Sequence, residues 1–291
     1  MVSVTTSRFN ELDGAASSKP NGFACFRGYD SFDQQPELMD FITADWPAPN
    51  GIHAMVTLRT HGHSVGAYAS LNLGDHVGDD PNAVLLNRQA LQAALPSAPI
   101  WMRQVHGTSV SSPSSRLDQS LLLPEADAAI TDQTNAVLAV LTADCMPVFF
   151  CSKDGKHIGV AHAGWRGLCA GILENTLGAL MSESQGLPPS AFMTWLGPAI
   201  GPNHFEVGQD VLEAFASRGF QLGPDTFDPI PSKPNKYLAN LPLLARQALK
   251  KAGVEQIYGG DLCTYSDSNR FFSYRRDGVS GRFASLIWIE S

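Results

Sequence analysis

Along this chain apolar residues fall into short blocks separated by turn residues, not into long helical stripes. AVLAVLT at 136–142, VFFC at 148–151 and IGVA at 158–161 follow one another closely, with a turn at Asp154-Gly155 between the last two. Apolar runs of this length, rich in β-branched and aromatic side chains and bounded by Gly, Asp or Pro, predict buried strands. The same pattern predicts strands at 52–58, 126–131, 192–196, 256–259 and 283–289, and a strand over 101–110 broken at His106-Gly107. Helical spacing appears at 82–95, begun by Asp80-Pro81, and again at 168–181, 209–216 and 239–252. Residues 38–42 could add a short helix. Strands outnumber helices and the two are interspersed, which predicts a mixed α/β fold with more than one sheet layer.

Three polar stretches interrupt this pattern. Residues 59–81 are Gly-rich and too long for a turn, the kind of loop that tends to be functional. Residues 111–124 are Ser-rich, and 261–277 mix polar and aromatic side chains. The first 40 residues are rich in Ser, Asn, Gly and Asp, and read as an extension, loosely ordered or docked, ahead of a catalytic domain at 41–291. Phe23, Phe26, Tyr29 and Phe32 are spaced so that they could form an aromatic docking patch.

Composition narrows the function classes. With 291 residues, 44% of them hydrophobic, the chain has ample material for a large core. A net charge of −8 argues against a nucleic-acid surface, although a small phosphorylated ligand needs only one or two arginines. No stretch approaches the roughly 20 apolar residues of a membrane span, and no secretory h-region is visible. Five cysteines, odd in number and widely spaced, point to a reducing, cytoplasmic setting and not to a disulfide framework.

The candidate chemistry sits at the ends of the central strands. Asp144-Cys145 closes the first block, and His162 closes the third and leads into Ala163-Gly164-Trp165-Arg166-Gly167, where a helix should begin and expose backbone N–H groups. His106 lies at another strand end beside Gly107. Taken singly, a Cys in an apolar run is a small core residue and a His a hydrogen-bonded structural one. Taken together, His106, Cys145 and His162 form the two-His, one-Cys set that zinc accepts with one position open. Copper also takes imidazole and thiolate. A Cys–His nucleophile pair would need only Cys145 and one histidine.

Longer motifs support a resemblance. DWPAP at 45–49, SLNLGDHVGDDP at 70–81, QVHG at 104–107, TADCMP at 142–147, AHAGWRG at 161–167, LGPAIGPNHFEVG at 196–208 and FFSYRRDGVSGR at 271–282 resemble those of the bacterial YfiH-like family. That family is labelled multicopper polyphenol oxidase, laccase-like, and also described as purine nucleoside phosphorylase. The resemblance implies a four-layer α/β/β/α sandwich in a single large domain, a fold shared with cysteine hydrolases. It implies a metal triad at His106, Cys145 and His162. It implies zinc-dependent phosphorolysis of adenosine, inosine, guanosine and methylthioadenosine, with adenosine deamination as a second activity. Where the family reads T-R-x-G-G-V-S, this chain has Leu58-Arg59-Thr60-His61-Gly62-His63-Ser64, and His61 and His63 are expected to lie in an exposed polar loop.

Under this resemblance Asp144 is the candidate proton shuttle, or else a support for the metal site. Arg59, Ser64, Asn72, Arg275 and Arg276 are candidates for holding phosphate, and the alternative for Arg276 is a salt bridge to Asp277. The remaining histidines, His53, His76, His157 and His204, are read as structural or surface residues, and the cysteines Cys25, Cys151, Cys169 and Cys263 as core or incidental. Alternatives are a copper-dependent phenol oxidase, a Cys–His amidohydrolase of cell-wall precursors, and a non-catalytic partner protein with a structural metal clip. An oxidase with several coppers needs upwards of about ten ligands in H-x-H patterns, against the eight scattered histidines present. The expected partners are a nucleoside and phosphate, with the protein a monomer or small homo-oligomer.

Overall fold

Most of the apolar blocks become strands buried on both faces, because each of the two large sheets is covered by the other sheet on one side and by helices on the other. The structure, a computed structural model, describes residues 39–113 and 123–291. Among these residues the first half of the chain forms β1 (Phe41–Thr43), β2 (Ile52–Thr57), α1 (Pro81–Ala93), β3 (Val110–Ser111), β4 (Ala128–Thr131), β5 (Leu138–Thr142), β6 (Met146–Ser152) and β7 (Ile158–Ala163). Next come α2 (Trp165–Ala170), α3 (Ile172–Glu183), β8 (Phe192–Leu196), β9 (Glu206–Gly208), α4 (Gln209–Ser217), β10 (Phe227–Pro229) and β11 (Lys236–Ala239). The chain closes with α5 (Leu241–Lys251), β12 (Gln256–Gly259), α6 (Tyr274–Asp277) and β13 (Phe283–Ile289).

One sheet has the order β1-β2-β13-β5 and a second β12-β8-β6-β7-β4-β3, with β10-β11-β9 as a small third sheet. Alternation along each strand assigns residues to layers. On β6, Phe149 and Cys151 enter the core between the two large sheets, while Val148 and Phe150 turn outward beneath helices. On β5, Leu138 and Val140 face inward, and Ala139 and Leu141 face the opposite side. The inner core joins Val56, Val140, Phe149, Val160, Trp195 and Ile287. Leu91 of α1, with Leu71 and Leu73, covers the outer face of the four-stranded sheet. Helices α3, α4 and α5 cover the outer face of the six-stranded sheet through Leu173, Leu177, Val211, Phe215, Leu244 and Leu249. The layer order is therefore α/β/β/α.

Several elements differ from the sequence pattern. The helix expected at 168–181 begins earlier, at Trp165, and is divided at Gly171, whose φ of +103° ends α2 and starts α3. Phe41 and Ile42 are not helical. They pair with Thr57 and Val56, because an apolar edge segment gains more from extending a sheet whose core face it can cover. The helix expected at 239–252 starts at Leu241, where Asn240 accepts a hydrogen bond from the amide of Leu243, and the preceding residues join the small sheet instead. Residues around 101–103 make isolated bridges only, and the 261–277 stretch ends in α6, capped by Ser273. Of the 1–40 extension, Met39 is buried and Asp40 accepts from Thr60 and pairs with His61. The remainder of the extension, with Phe23, Phe26, Tyr29, Phe32 and Cys25, lies outside the described residues, as does most of the Ser-rich stretch.

Candidate metal centre

The turn from β5 to β6 carries Cys145, and the end of β7 carries His162, directly before α2. The loop ahead of β3 carries His106. One buried residue, Asp127, joins two of these segments. Its carboxylate accepts hydrogen bonds from three successive amides, those of Val105 (3.2 Å), His106 (2.9 Å) and Gly107 (2.7 Å). His106 adopts φ +60°, which bends the chain so that these N–H groups converge on one anion. The same carboxylate meets His162 Nδ1 at 2.8 Å, and the Asp127 carbonyl accepts from the His162 amide. Burial would raise the Asp127 carboxyl, but His162 and the loop amides outweigh it and hold it below its usual range. Gln104 anchors the other end of the loop, donating to the Leu141 carbonyl and accepting from the Leu141 amide, each at 2.8 Å.

The ligand atoms of His106, Cys145 and His162 lie within 4.8 Å of one another, and no other such group of three appears among the described residues. His106 Nε2 is 3.7 Å from Cys145 Sγ. The two imidazoles meet edge to face with centroids 4.8 Å apart. His162 is buried, Cys145 half-buried and His106 exposed, so the group opens to solvent on the His106 side. Gly164 makes the close approach possible: a Cβ there would stand 2.8 Å from Cys145 Sγ and 3.0 Å from His106 Cδ2. Burial pushes the Cys145 thiol up, yet His162 and His106 more than offset this and bring it down to about 6. Burial likewise disfavours the His162 cation, while Cys145 and Asp127 favour it and raise it to about 9. The two shifts describe one pair, a thiolate held beside an imidazolium.

These residues fit a metal ion. Tetrahedral zinc with one sulfur and one nitrogen ligand sets the two donors roughly 3.5 Å apart, close to the observed His106–Cys145 separation. Asp127 occupies Nδ1 of His162, which leaves Nε2 for a metal, the usual carboxylate–histidine arrangement behind metal ligands. A set of two His and one Cys leaves a fourth position for substrate or water.

The other expected residues take up different places. Asp144 sits at φ +87°, and both its carboxylate oxygens are occupied, by Thr264 Oγ1 at 2.6 Å and the Arg275 amide at 2.7 Å. Ser64 donates to Asp79 at 2.6 Å, and Asn72 donates to Asp79 and accepts from the amides of Gly74 and Arg282. Both are buried inside the hydrogen-bond network of the long loop. Arg59 donates from Nε to the Ala69 carbonyl and from Nη1 to the Ser268 carbonyl, and stacks over Phe272. Arg275 donates to the Glu206 carbonyl. Arg276 pairs with Asp277 and donates to the carbonyls of Thr264, Tyr265 and Phe271. His61 and His63 are exposed and stand outside the metal group.

Sequence reasoning missed Asp127, Asn87 and Arg282. The signal for Asp127 was a carboxylate at the mouth of an apolar run, EADAAIT, where a buried strand has no use for a charge. Asn87 is a fully buried amide on α1 that donates to Ser64, Ser70 and Asn72 and accepts from the His63 amide. Arg282 lies within Coulomb reach of Cys145 and Asp144: burial lowers its guanidinium and these two groups hold it up.

The family model described as multi-copper polyphenol oxidoreductase laccase matches residues 53–290. The protein named purine nucleoside phosphorylase YfiH from Escherichia coli (strain K12) is 46% identical over 260 residues, covering 87% of this chain and all of that relative. The protein named purine nucleoside phosphorylase PA4543 from Pseudomonas aeruginosa is 44% identical over 250 residues, 86% of this chain and 98% of its own. Among solved structures, NMB0706 from Neisseria meningitidis shares 46% identity with a TM-score of 0.77, covering 86% of this chain and 99% of that one. YlmD from Geobacillus stearothermophilus shares 31% identity with a TM-score of 0.79, covering 89% and 98%.

Proposed function

From the membership of this chain in the multi-copper polyphenol oxidoreductase laccase family, to which its YfiH-like relatives also point, we propose that the protein is a zinc-dependent purine nucleoside phosphorylase with adenosine deamination as a second activity. The observation that carries the reading is the His106–Cys145–His162 group with Asp127 behind it, in a chain whose relatives of nearly full matching length are named purine nucleoside phosphorylases. Zinc held there would supply a Lewis acid that polarises an oxygen of the reacting group.

This chain's own residues do the rest. Asp127 holds His162 in the tautomer whose Nε2 faces the site, and gathers the amides that aim His106. Asp144 supports the Cys145 turn: with one oxygen on Thr264 and the other on the Arg275 amide, it ties the β5–β6 turn to the start of α6. The long loop over 59–81 is stiffened by Ser64, Asn72 and Asp79, and Asn87 of α1 ties it down. Phosphate is well matched by paired donors from arginine.

A copper-dependent phenol oxidase is supported by the family description alone, and a single three-ligand group among the described residues offers few of the ligands that several coppers need. A Cys–His hydrolase draws support from the lowered Cys145 thiol. One preparation separates the three. Metal analysis is expected to find about one zinc per chain. Adenosine is expected to give adenine and ribose 1-phosphate only when phosphate is supplied, and ammonia without it. Adenine release without a sugar phosphate would remove phosphorolysis, and phenol oxidation by the zinc-loaded protein would favour the oxidase.

A further inference from the structure

The arginines that the motifs bring forward differ in what their guanidinium groups still have to offer. Arg276 is committed on all its nitrogens, to Asp277 and three carbonyls. Arg59 has Nε and Nη1 committed to carbonyls and stacks over Phe272. Arg275 is exposed and reaches towards the small sheet, donating to Glu206 and lying over Phe205. Arg282 differs. Its Nη1 donates to the carbonyls of Ser280 (2.7 Å) and Gly281 (3.0 Å), and among the described residues Nε and Nη2 have no hydrogen-bond partner.

Its place is set by the sheet. β13 pairs with β5 so that Phe283 faces Thr142, and one step further along the same antiparallel register Arg282 lies beside Ala143, two residues before Cys145. The backbone is clamped as well, since the Arg282 amide donates to Asn72 and its carbonyl accepts from Leu73. Gly74 leaves room for the stem: a Cβ there would stand 2.8 Å from Arg282 Cγ. The guanidinium is half-buried and lies 5.9 Å from the centre of the exposed Tyr274 ring. An arginine whose backbone is fixed alongside the strand that leads into the Cys145 turn, with an edge of two donors unpaired among the described residues, is suited to receive an oxyanion in paired hydrogen bonds.

We propose that Arg282 is the residue that holds the phosphate cosubstrate beside the metal group, through Nε and Nη2. This rests on the phosphorylase reading for its biological meaning, but the binding itself can be measured without turnover. Zinc-loaded protein is titrated with inorganic phosphate at constant ionic strength, with chloride as the balancing anion, and binding is followed by ³¹P line broadening or calorimetry. Arg282→Lys and Arg282→Gln are compared with Arg59→Lys, and zinc content and circular dichroism are recorded for each. Phosphate is expected to bind the wild type and to lose about tenfold or more in affinity in both Arg282 variants, with zinc retained and Arg59→Lys close to wild type. Equal phosphate affinity in folded, zinc-containing Arg282→Gln would overturn the proposal, since the anion would then be held by the metal or another residue. Absence of phosphate binding to the wild type would overturn it too. Phosphate binding that depends on Arg282 in a protein that cleaves no purine nucleoside would leave the arginine site standing and remove the phosphorylase reading instead.

Discussion

Asp127 Oδ1 and His162 Nδ1 are joined at 2.8 Å, with both side chains almost wholly excluded from solvent. The carboxylate does two things at once. It fixes the ring of one candidate ligand and collects the backbone amides of the loop that carries another. Replacing it with asparagine removes the charge, keeps the size, and leaves some of the converging N–H groups facing an amide. Zinc affinity of Asp127→Asn is expected to fall by roughly 10–100-fold, measured by competition with a chromophoric chelator. Affinity within about twofold of wild type would show that the loop and His162 are aimed by other contacts.

Cys145 is the one sulfur in the metal group and sits on a turn secured by the hydrogen bonds of the neighbouring Asp144 carboxylate. Cys145→Ala is expected to lose most of the bound zinc while keeping a cooperative melt and an unchanged far-ultraviolet spectrum. Full zinc occupancy in this variant would set the triad aside.

The thiol chemistry of the metal-free protein has a defined pH signature. Cys145, depressed from the ordinary 9.0 to about 6 once His162 and His106 overcome burial, is thiolate above about 6 and becomes thiol as pH falls through that value. His162, raised to about 9, keeps its positive charge until pH rises through 9. Iodoacetamide is therefore expected to modify Cys145 with a half-maximal rate near pH 6, and zinc should protect it. Burial pushes Cys151 up to about 12 and raises Cys169, so neither competes in this range. Cys145→Ser supplies the baseline for the remaining thiols. A half-maximal rate near pH 9 would contradict the ion-pair description.

Two glycines give opposite expectations for the same substitution. Gly164→Ala places a methyl group 2.8 Å from Cys145 Sγ, so it is expected to lower zinc affinity sharply by forcing the ligands apart. Gly178 lies exposed inside α3 with nothing within 4 Å of an added Cβ. Gly178→Ala is expected to stabilise by roughly 0.5–1 kcal/mol through the lower backbone entropy of the unfolded chain, with zinc affinity unchanged. Thermal melts and zinc titrations on both variants check the pair.

Asn87 ties the long loop to α1. Truncation to alanine strands the Ser64, Ser70 and Asn72 acceptors and the His63 amide, several of them out of reach of solvent. Each buried polar group left without a partner costs about 1–3 kcal/mol, so Asn87→Ala is expected to lose at least that much in chemical denaturation. Faster amide exchange should be confined mainly to residues 59–81. A uniform rise in exchange across the chain would mean that the loop and α1 do not form a separable unit.

Local pattern was enough to place most of the strands and to single out His106, Cys145 and His162. A strand buried on both faces is a continuous apolar run, and a Cys or His at its end is conspicuous because nothing in packing asks for it. Spacing did not join these residues into a site, because they lie 39 and 17 positions apart along the chain and meet only where the sheets are stacked. Asp127 was not singled out at the head of its apolar run, and only the fold buries it behind His162. Asp144, Ser64, Asn72 and Arg276 carried chemistry in their side chains, yet the structure gives their polar atoms to the backbone and to neighbouring side chains, Thr264, Asp79, Asn87 and Asp277. Arg282, unremarkable as the end of an arginine-containing motif, has two donors without a partner among the described residues, on a backbone that the register of β13 on β5 carries towards the Cys145 turn. The identity of a side chain states which hydrogen bonds it can make. Which of them remain unmade, and so available to a ligand, is decided only when the rest of the chain has closed around it.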